Sequence, residues 1–349
     1  MAFLDEVAEQ GKSLRDLIAF YRTDKGDELL HDSEGLASKH PRSITFAGIG
    51  TSEFVAGVVR DHLGEKSKVP VVLWEAGELL HYGMESIRDD DAIVLVSQSG
   101  ESIETRTIAD NLRFHQRVIS VTNNPESAMA RWAKIHLPII AGEEASISNK
   151  TYTNSMAMLL LLSRAIPGED WEFSVLAPLE QIADEMDSFF ENRRAEIEQA
   201  ADLLRDAKTV YFISRGPALA AARQAALTFQ EGSHVVGCAL PGGSMRHGPF
   251  EIVGQGHYAV MFASEGHGSD LVRSMALEMA ELGSKVVLFT AEEVAGHANL
   301  ASIVLAPGNP EFFPLACAVP QELLLDRMAS DRGLTAGVFT RGSKITSKE

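Results

Sequence analysis

Cysteine is nearly missing: Cys238 and Cys317 are the only two in 349 residues. So few thiols argue against a disulfide framework and fit a reducing cytoplasm. No H-E-x-x-H and no paired C-x-x-C occurs, so no metal is expected, and no cofactor either. Positive charge is also short, with 31 Lys and Arg against 49 Asp and Glu and a net charge of −18. That balance argues against a nucleic-acid partner, because a phosphate backbone needs a basic face. It says nothing against a small phosphorylated ligand, which a few local dipoles can hold. The longest apolar run, "SMAMLLLLSRAI", is too short to span a bilayer and reads as a buried helix. The N-terminus, "MAFLDEVAEQGKSLRDL", lacks the basic start and apolar core of a signal peptide. The expectation is a soluble cytoplasmic protein with no membrane partner.

What is present is alternation. Short apolar runs such as "SITFAGIG", "VPVVLWEA", "DAIVLVSQ", "RVISVTN" and "KIHLPII" suit strands covered on both faces. Helical stretches separate them. The pattern recurs in "KTVYFISRG", "HVVGCALPG", "HYAVMFASEG", "SKVVLFTAEE" and "ASIVLAPG". Two α/β domains with doubly wound parallel sheets follow, related by internal duplication. The expected layout is a helical lead-in over 1–40, one domain over 41–170, a helical linker over 171–204, a second domain over 205–335 and an irregular tail over 336–349.

In such sheets ligands bind outside the carboxyl ends of the strands, where the next helix offers unpaired N–H groups. "LVSQSGES" places Ser97, Gln98, Ser99, Gly100 and Ser102 at one such end. The hydroxyls and helix-end amides make an uncharged cradle for a phosphate. The competing reading is that Ser102 only caps a helix and the other serines are turn residues. In "GIGTSEF", Gly48 and Gly50 permit a tight turn, and Thr51 or Ser52 can cap the next helix. It is not a dinucleotide fingerprint, because Glu53 stands where a third glycine is required. No G-x-x-x-x-G-K-[ST] occurs.

"AGIGTS", "VSQSGES", "EEASISNKTYTNSMAMLLLL", "QEGSHVVGCALPGGSMRHGP" and a C-terminal lysine together resemble the sugar isomerase (SIS) domain family. The resemblance is to its double-domain sugar-phosphate isomerases, deaminases and deglycases, among them the isomerase half of glucosamine-6-phosphate synthase. It implies two tandem flavodoxin-like SIS domains. It places the phosphate on Ser97, Gln98, Ser99 and Ser102, with Thr51 and Ser52 nearby, and the sugar hydroxyls on Ser146 and Ser148. It makes Glu231, His247 and Lys344 the catalytic trio. It also implies a homodimer whose active sites are shared, the histidine reaching in from the partner chain, with the tail over the site.

The chemistry suits these residue types. Aldose–ketose interconversion needs one base that reaches two adjacent carbons, and a carboxylate in a buried setting serves. Read without the family, Glu231 is an exposed residue at a helix end with Gly232 as the cap. Opening the sugar ring needs a proton shuttle, and His247, in the loop "MRHGP", has a suitable group. His234 reads as a structural residue opening a strand, and His267, on the duplicated loop, is assigned no role. Lys344 can attack or polarise a carbonyl, although terminal lysines are usually solvated. Glu143 and Glu144 either face a cationic amine on the substrate or form a solvated turn.

Departures from the synthase pattern are informative. Thr228 stands where the synthase has a second lysine, the tail lacks the usual proline, and no glutaminase domain is expected, hence no internal ammonia source. The function implied is catabolic: an isomerase, deaminase or deglycase that takes a 6-phosphorylated amino sugar or fructosamine through an enol(amine) and releases ammonia or an amine. The alternatives are a simple aldose–ketose phosphate isomerase and a non-catalytic phosphosugar-binding regulator.

Overall fold

Ten strands of four to six residues alternate with helices along the chain of the computed structural model, which describes residues 3–37, 40–341 and 344. Nine strands fall inside their apolar runs, and the tenth, Leu300–Val304, begins one residue before "ASIVLAPG". The sheets are parallel, with orders β2-β1-β3-β4-β5 and β10-β9-β8-β6-β7. Here β1 is Ile44–Gly48, β2 Val71–Glu75, β3 Ala92–Val96, β4 Val118–Thr122 and β5 Ile135–Pro138. In the second sheet β6 is Thr209–Ser214, β7 Val236–Pro241, β8 Tyr258–Ala263, β9 Lys285–Thr290 and β10 Leu300–Val304. Counted from its own first strand, each sheet has the flavodoxin-like order 2-1-3-4-5. The fold is two tandem doubly wound α/β domains, as the repeat in the sequence requires.

Burial explains the strand composition. Every residue of β1, β3 and β4 is buried, whereas the edge strand β2 is half-buried throughout and β7 has exposed ends. The long apolar run becomes the helix Lys150–Ala165, buried along all sixteen residues. Among the described residues no helix is long and apolar enough to cross a membrane. Helices Gln10–Tyr21 and Asp24–Ala37 lie in the expected lead-in, and Ala177–Asn192 and Arg194–Leu204 in the expected linker.

Two compact units emerge. The first comprises Lys12–Glu144, Lys150–Gln181 and Arg341–Glu349, and the second Met1–Gly11, Ala145–Asn149 and Ile182–Thr340. The first packs Leu95, Ile108, Leu79 and Met129 in its core. The second packs Met261, Val272, Met275, Met279 and Leu288, with Phe262 stacked on Phe289 at 5.3 Å. Of the tail, residues 342, 343 and 345–349 lie outside the described set.

In the first unit a carboxylate joins the entries of β1 and β3. Asp91, whose side chain is 1% exposed, accepts from Arg42 Nη2 at 2.6 Å and Nε at 3.0 Å. Ser43 Oγ at 2.7 Å and the Arg88 N–H at 2.8 Å complete its shell. Burial alone would raise its pKa, but the bonds from Arg42, Ser43 and Arg88 outweigh that and hold it below the usual value. Replacing Asp91 by Ala should lower urea-unfolding stability of this unit by about 1.5–3 kcal/mol, the range for hydrogen bonds to a charged group. The exposed neighbour Asp90, 4.0 Å from Arg42, should change it by less than about 0.5 kcal/mol when replaced by Ala. Equal effects at the two positions would show that the Asp91 shell carries no special weight.

Candidate functional site

The topology selects two strand ends in the first unit. The chain passes from β1 to β2 on one side and then to β3 on the other, so the crevice between β1 and β3 is the switch point where α/β sheets bind ligands. Ala47 pairs with Leu95 in register, which brings residues 49–52 and 97–102 to the same end of the sheet.

The serine loop continues the β3–β4 ladder before it turns. The Ser97 N–H donates to Val121 O at 3.1 Å, and Gln98 O accepts from the Asn123 N–H and from Thr122 Oγ1, each at 3.0 Å. Gly100 then takes φ +65°, and a Cβ there would lie 2.3 Å from Ser127 Oγ, so only glycine fits. The Gly100 N–H donates to Ser97 Oγ at 3.2 Å and the Glu101 N–H to Ser99 Oγ at 3.1 Å. A hydroxyl that accepts still has its own O–H to give. Among the described residues the hydroxyls of Ser97, Ser99 and Ser102 and the side-chain amide of Gln98 donate to nothing. Ser102 does sit at the N-cap of the helix Ile103–Asn111, but its side chain makes no cap bond. The capping explanation of this serine therefore fails.

Acids near the loop have other tasks. Glu101 turns outward and accepts from the Ala128 N–H at 2.8 Å, at the start of the next short helix. Glu104, buried in the first turn of Ile103–Asn111, complements the positive helix end. In the neighbouring loop the cap of helix Thr51–Ser67 is Gly50, at φ 55°, not Thr51 or Ser52. Both of those residues lie half-buried in the first turn.

Ser146 and Ser148 belong to the second unit, on the irregular segment after β5. A carboxylate from the first helix, with no sequence signal to mark it, organises them. Glu6, fully buried, accepts from the Ala145 N–H at 2.6 Å, the Ser146 N–H at 3.2 Å and Asn149 Nδ2 at 3.3 Å, and from Ser146 Oγ. The Ser146 hydroxyl is thus already engaged. Ser148 is half-buried, and its carbonyl accepts from Gln224 Nε2 at 3.2 Å.

Gln224 lies on the helix Leu219–Ser233, which also carries Glu231. Gly232 is not a cap: it is buried within that helix, and a Cβ there would lie 2.9 Å from Ile147 Cδ1 and 3.1 Å from Leu325. Its lack of a side chain seats the helix end against the segment that bears Ser146 and Ser148. Glu231 is half-buried rather than exposed. The helix is closed by His234 in the left-handed conformation, φ 55°, so that histidine ends a helix instead of opening β7. Thr228 turns its hydroxyl back onto Gln224 O at 3.0 Å, which leaves no second amine on this helix turn. His247 is exposed at the end of the short helix Gly242–Arg246. His267 begins the helix His267–Glu281.

Lys344 returns to the first unit. Its Nζ lies 2.6 Å from Glu144 Oε1, and the Glu144 side chain is completely buried. Glu144 is therefore not a solvated turn, although Glu143 beside it is exposed. Among the described residues no group of three or more His, Cys, Asp and Glu could hold a metal ion.

Comparison with known proteins agrees with this architecture. The SIS domain family model matches residues 36–163 and again 203–318, and the chain belongs to this family. Over 337 residues it is 29% identical to a glutamine–fructose-6-phosphate aminotransferase (isomerizing) of Shouchella clausii, covering 95% of this chain and 55% of that protein. The chain thus spans about half the length of the curated relatives it matches. Among solved structures, the C-terminal domain of the glucosamine-fructose-6-phosphate aminotransferase of Francisella tularensis superposes with a TM-score of 0.85 at 22% identity, covering 96% of this chain and 97% of that one. Glucosamine-6-phosphate deaminase of Thermotoga maritima gives 0.76 at 21%, covering 99% of each chain. Both likenesses are likenesses of fold.

The Glu6 shell yields a pH prediction. Burial alone would raise the Glu6 pKa, but the bonds from Ser146, Ala145 and Asn149 outweigh it and hold the carboxyl below the usual value. A depressed folded pKa contributes stability above the unfolded value that is lost as pH falls through the folded one. Replacing Glu6 by Gln should cost the second unit about 2–3 kcal/mol at pH 7. That deficit should shrink steadily below pH 4.5. Thermal melts from pH 7 to pH 3 read it out, and a deficit independent of pH would refute the ionised role of Glu6.

Proposed function

We propose that this SIS-domain chain is a sugar-phosphate enzyme of the isomerase and deaminase type, working in the breakdown direction on a 6-phosphorylated amino sugar or fructosamine. The observation that carries the proposal is the serine loop. Four side chains at the first switch point, Ser97, Gln98, Ser99 and Ser102, keep donors with no acceptor among the described residues. A phosphate monoester offers the acceptors they lack, and the amino end of Ile103–Asn111 adds a favourable dipole. An anion can be held there by a protein of net charge −18 because no basic patch is needed.

Family members with isomerase and deaminase names support the type of chemistry. In the proposed reaction Glu231 removes the proton from one of the first two carbons of the opened sugar and returns it to the other. From glucosamine 6-phosphate this gives a ketimine, and water then releases ammonia and fructose 6-phosphate. From a fructosamine 6-phosphate it gives an aldimine, and water releases the amine and glucose 6-phosphate. His247 carries the proton that opens the ring. Lys344 stands as a cation near the carbonyl, Thr51 and Ser52 flank the phosphate, and Ser148 faces the sugar from the segment that Ser146, bonded to Glu6, holds in place. Thr228 favours this direction, since one amine is missing relative to the synthase pattern.

Two experiments test the assignment. Incubation with glucosamine 6-phosphate and with fructoselysine 6-phosphate should yield fructose 6-phosphate from the first or glucose 6-phosphate from the second. Tight phosphosugar binding without turnover of either would favour the regulator. The Glu231→Gln variant should lose solvent-deuterium exchange at the sugar's second carbon by about 100-fold or more, as expected for a general base. Its phosphosugar affinity should stay within about twofold of wild type, because the serine loop is untouched. Undiminished exchange removes Glu231 from the mechanism.

The exposed His247 also fits a site completed by a second copy of the chain. Mixing inactive Glu231→Gln and His247→Ala proteins should then restore activity, to about a quarter of wild type for random C2 exchange. No recovery after verified subunit exchange places both residues in one chain's site.

A further inference from the structure

A lysine near a chain end is normally solvated, its ammonium in water. Lys344 is not: its side chain is 20% exposed and its Nζ sits 2.6 Å from a carboxylate with no exposure at all. That carboxylate is fixed independently of the lysine. Thr151 donates its N–H to Glu144 Oε2 at 2.9 Å and its hydroxyl to Oε1 at 2.7 Å. Thr151 stands in the first turn of the buried helix Lys150–Ala165, whose positive end favours an anion. The receptor for the lysine is thus part of the sheet unit's core, two hundred positions from the lysine in sequence.

We propose that Glu144 is a positioning residue: it seats the Lys344 ammonium at one fixed place in the first unit, so that its charge is in position before substrate arrives. The proposal rests on the functional reading above for the task of Lys344, but not for the pairing itself. Without Glu144 the ammonium loses the buried carboxylate that fixes its position, and its charge is no longer held where the reaction needs it.

The test separates the two claims. In the wild-type protein, acetic anhydride should modify Lys344 about tenfold more slowly than the exposed Lys208, read by mass spectrometry of peptides. In Glu144→Gln that protection should vanish. Turnover in Glu144→Gln should fall about 100-fold, with KM for the phosphosugar within about twofold, because the phosphate loop is intact. The double variant Glu144→Gln, Lys344→Ala should be no worse than Lys344→Ala alone, which a merely structural role for Glu144 does not produce. If Glu144→Gln does not fold, the protection measured in the wild-type protein still decides the pairing. Lys344 reacting as fast as Lys208 overturns the proposal, as does an additive double variant. Protection of Lys344 together with full activity of Lys344→Ala would leave the pairing standing and remove the lysine from the reaction.

Discussion

Backbone N–H groups outside any ladder need other acceptors, and along the irregular stretch from Ile139 to Asn149 side chains take several of them. The Ile139 N–H donates to Thr122 O at 3.2 Å, and the Ala141 N–H to Asn123 Oδ1 at 2.8 Å. Asn123 returns its amide to Gly142 O at 2.7 Å. Beyond that point Glu6 takes the N–H groups of Ala145 and Ser146, and Glu144 takes that of Thr151. Two carboxylates and one amide thus set the path of a chain that no ladder supports. The positions of Ser146, of Ser148 and of the Lys344 ion pair all follow from that path.

The same economy governs charge. An acidic protein that holds an anion must keep its own carboxylates occupied elsewhere, or repulsion would cancel the attraction of a few dipoles. Two acids of the β3 region fit this rule. Glu101 is drawn to the Ala128 N–H, and Asp91 is enclosed by Arg42, Ser43 and Arg88 at the opposite end of β3. The serine loop itself offers hydroxyls and an amide, neutral groups that keep donors after the loop has folded.

Continuous apolar runs made the sheets legible, because a parallel strand covered on both faces leaves no polar position to blur its ends. The serine loop was legible for a related reason: small hydroxyls after a buried strand are conspicuous. Partners far apart in sequence were not. Glu6 lies 139 positions from Ala145 and 140 from Ser146, so no local pattern marks it as their acceptor. Gly232 looked like a helix cap because glycine near a helix end usually is one. Packing against Ile147 and Leu325 decided otherwise, and His234 took the left-handed position. Glu143 and Glu144 read together, either as partners of a substrate amine or as a solvated turn, since only the folded chain shows which of two adjacent acids points inward. Glu231, His247 and Lys344 stood out by resemblance to a family, a signal that periodicity alone does not carry.

The duplicated fold supplies its own control for the phosphate reading. Both sheets have the same strand order, and each has a loop at the corresponding switch point, after β3 in one and after β8 in the other. After β8, Ser264 Oγ and Ser269 Oγ lie 2.9 Å apart and bond to each other, while Ser264 O accepts from Arg273 Nη1 at 2.8 Å. The buried Arg273 is in turn paired with Asp270 and Glu292. Those hydroxyls satisfy one another inside the loop. After β3 the serines accept from the loop's own N–H groups and keep their O–H groups available. A shared topology therefore does not by itself make a phosphate site. The difference lies in whether the hydroxyls find acceptors: after β8 they bond within the loop, and after β3, among the described residues, they find none.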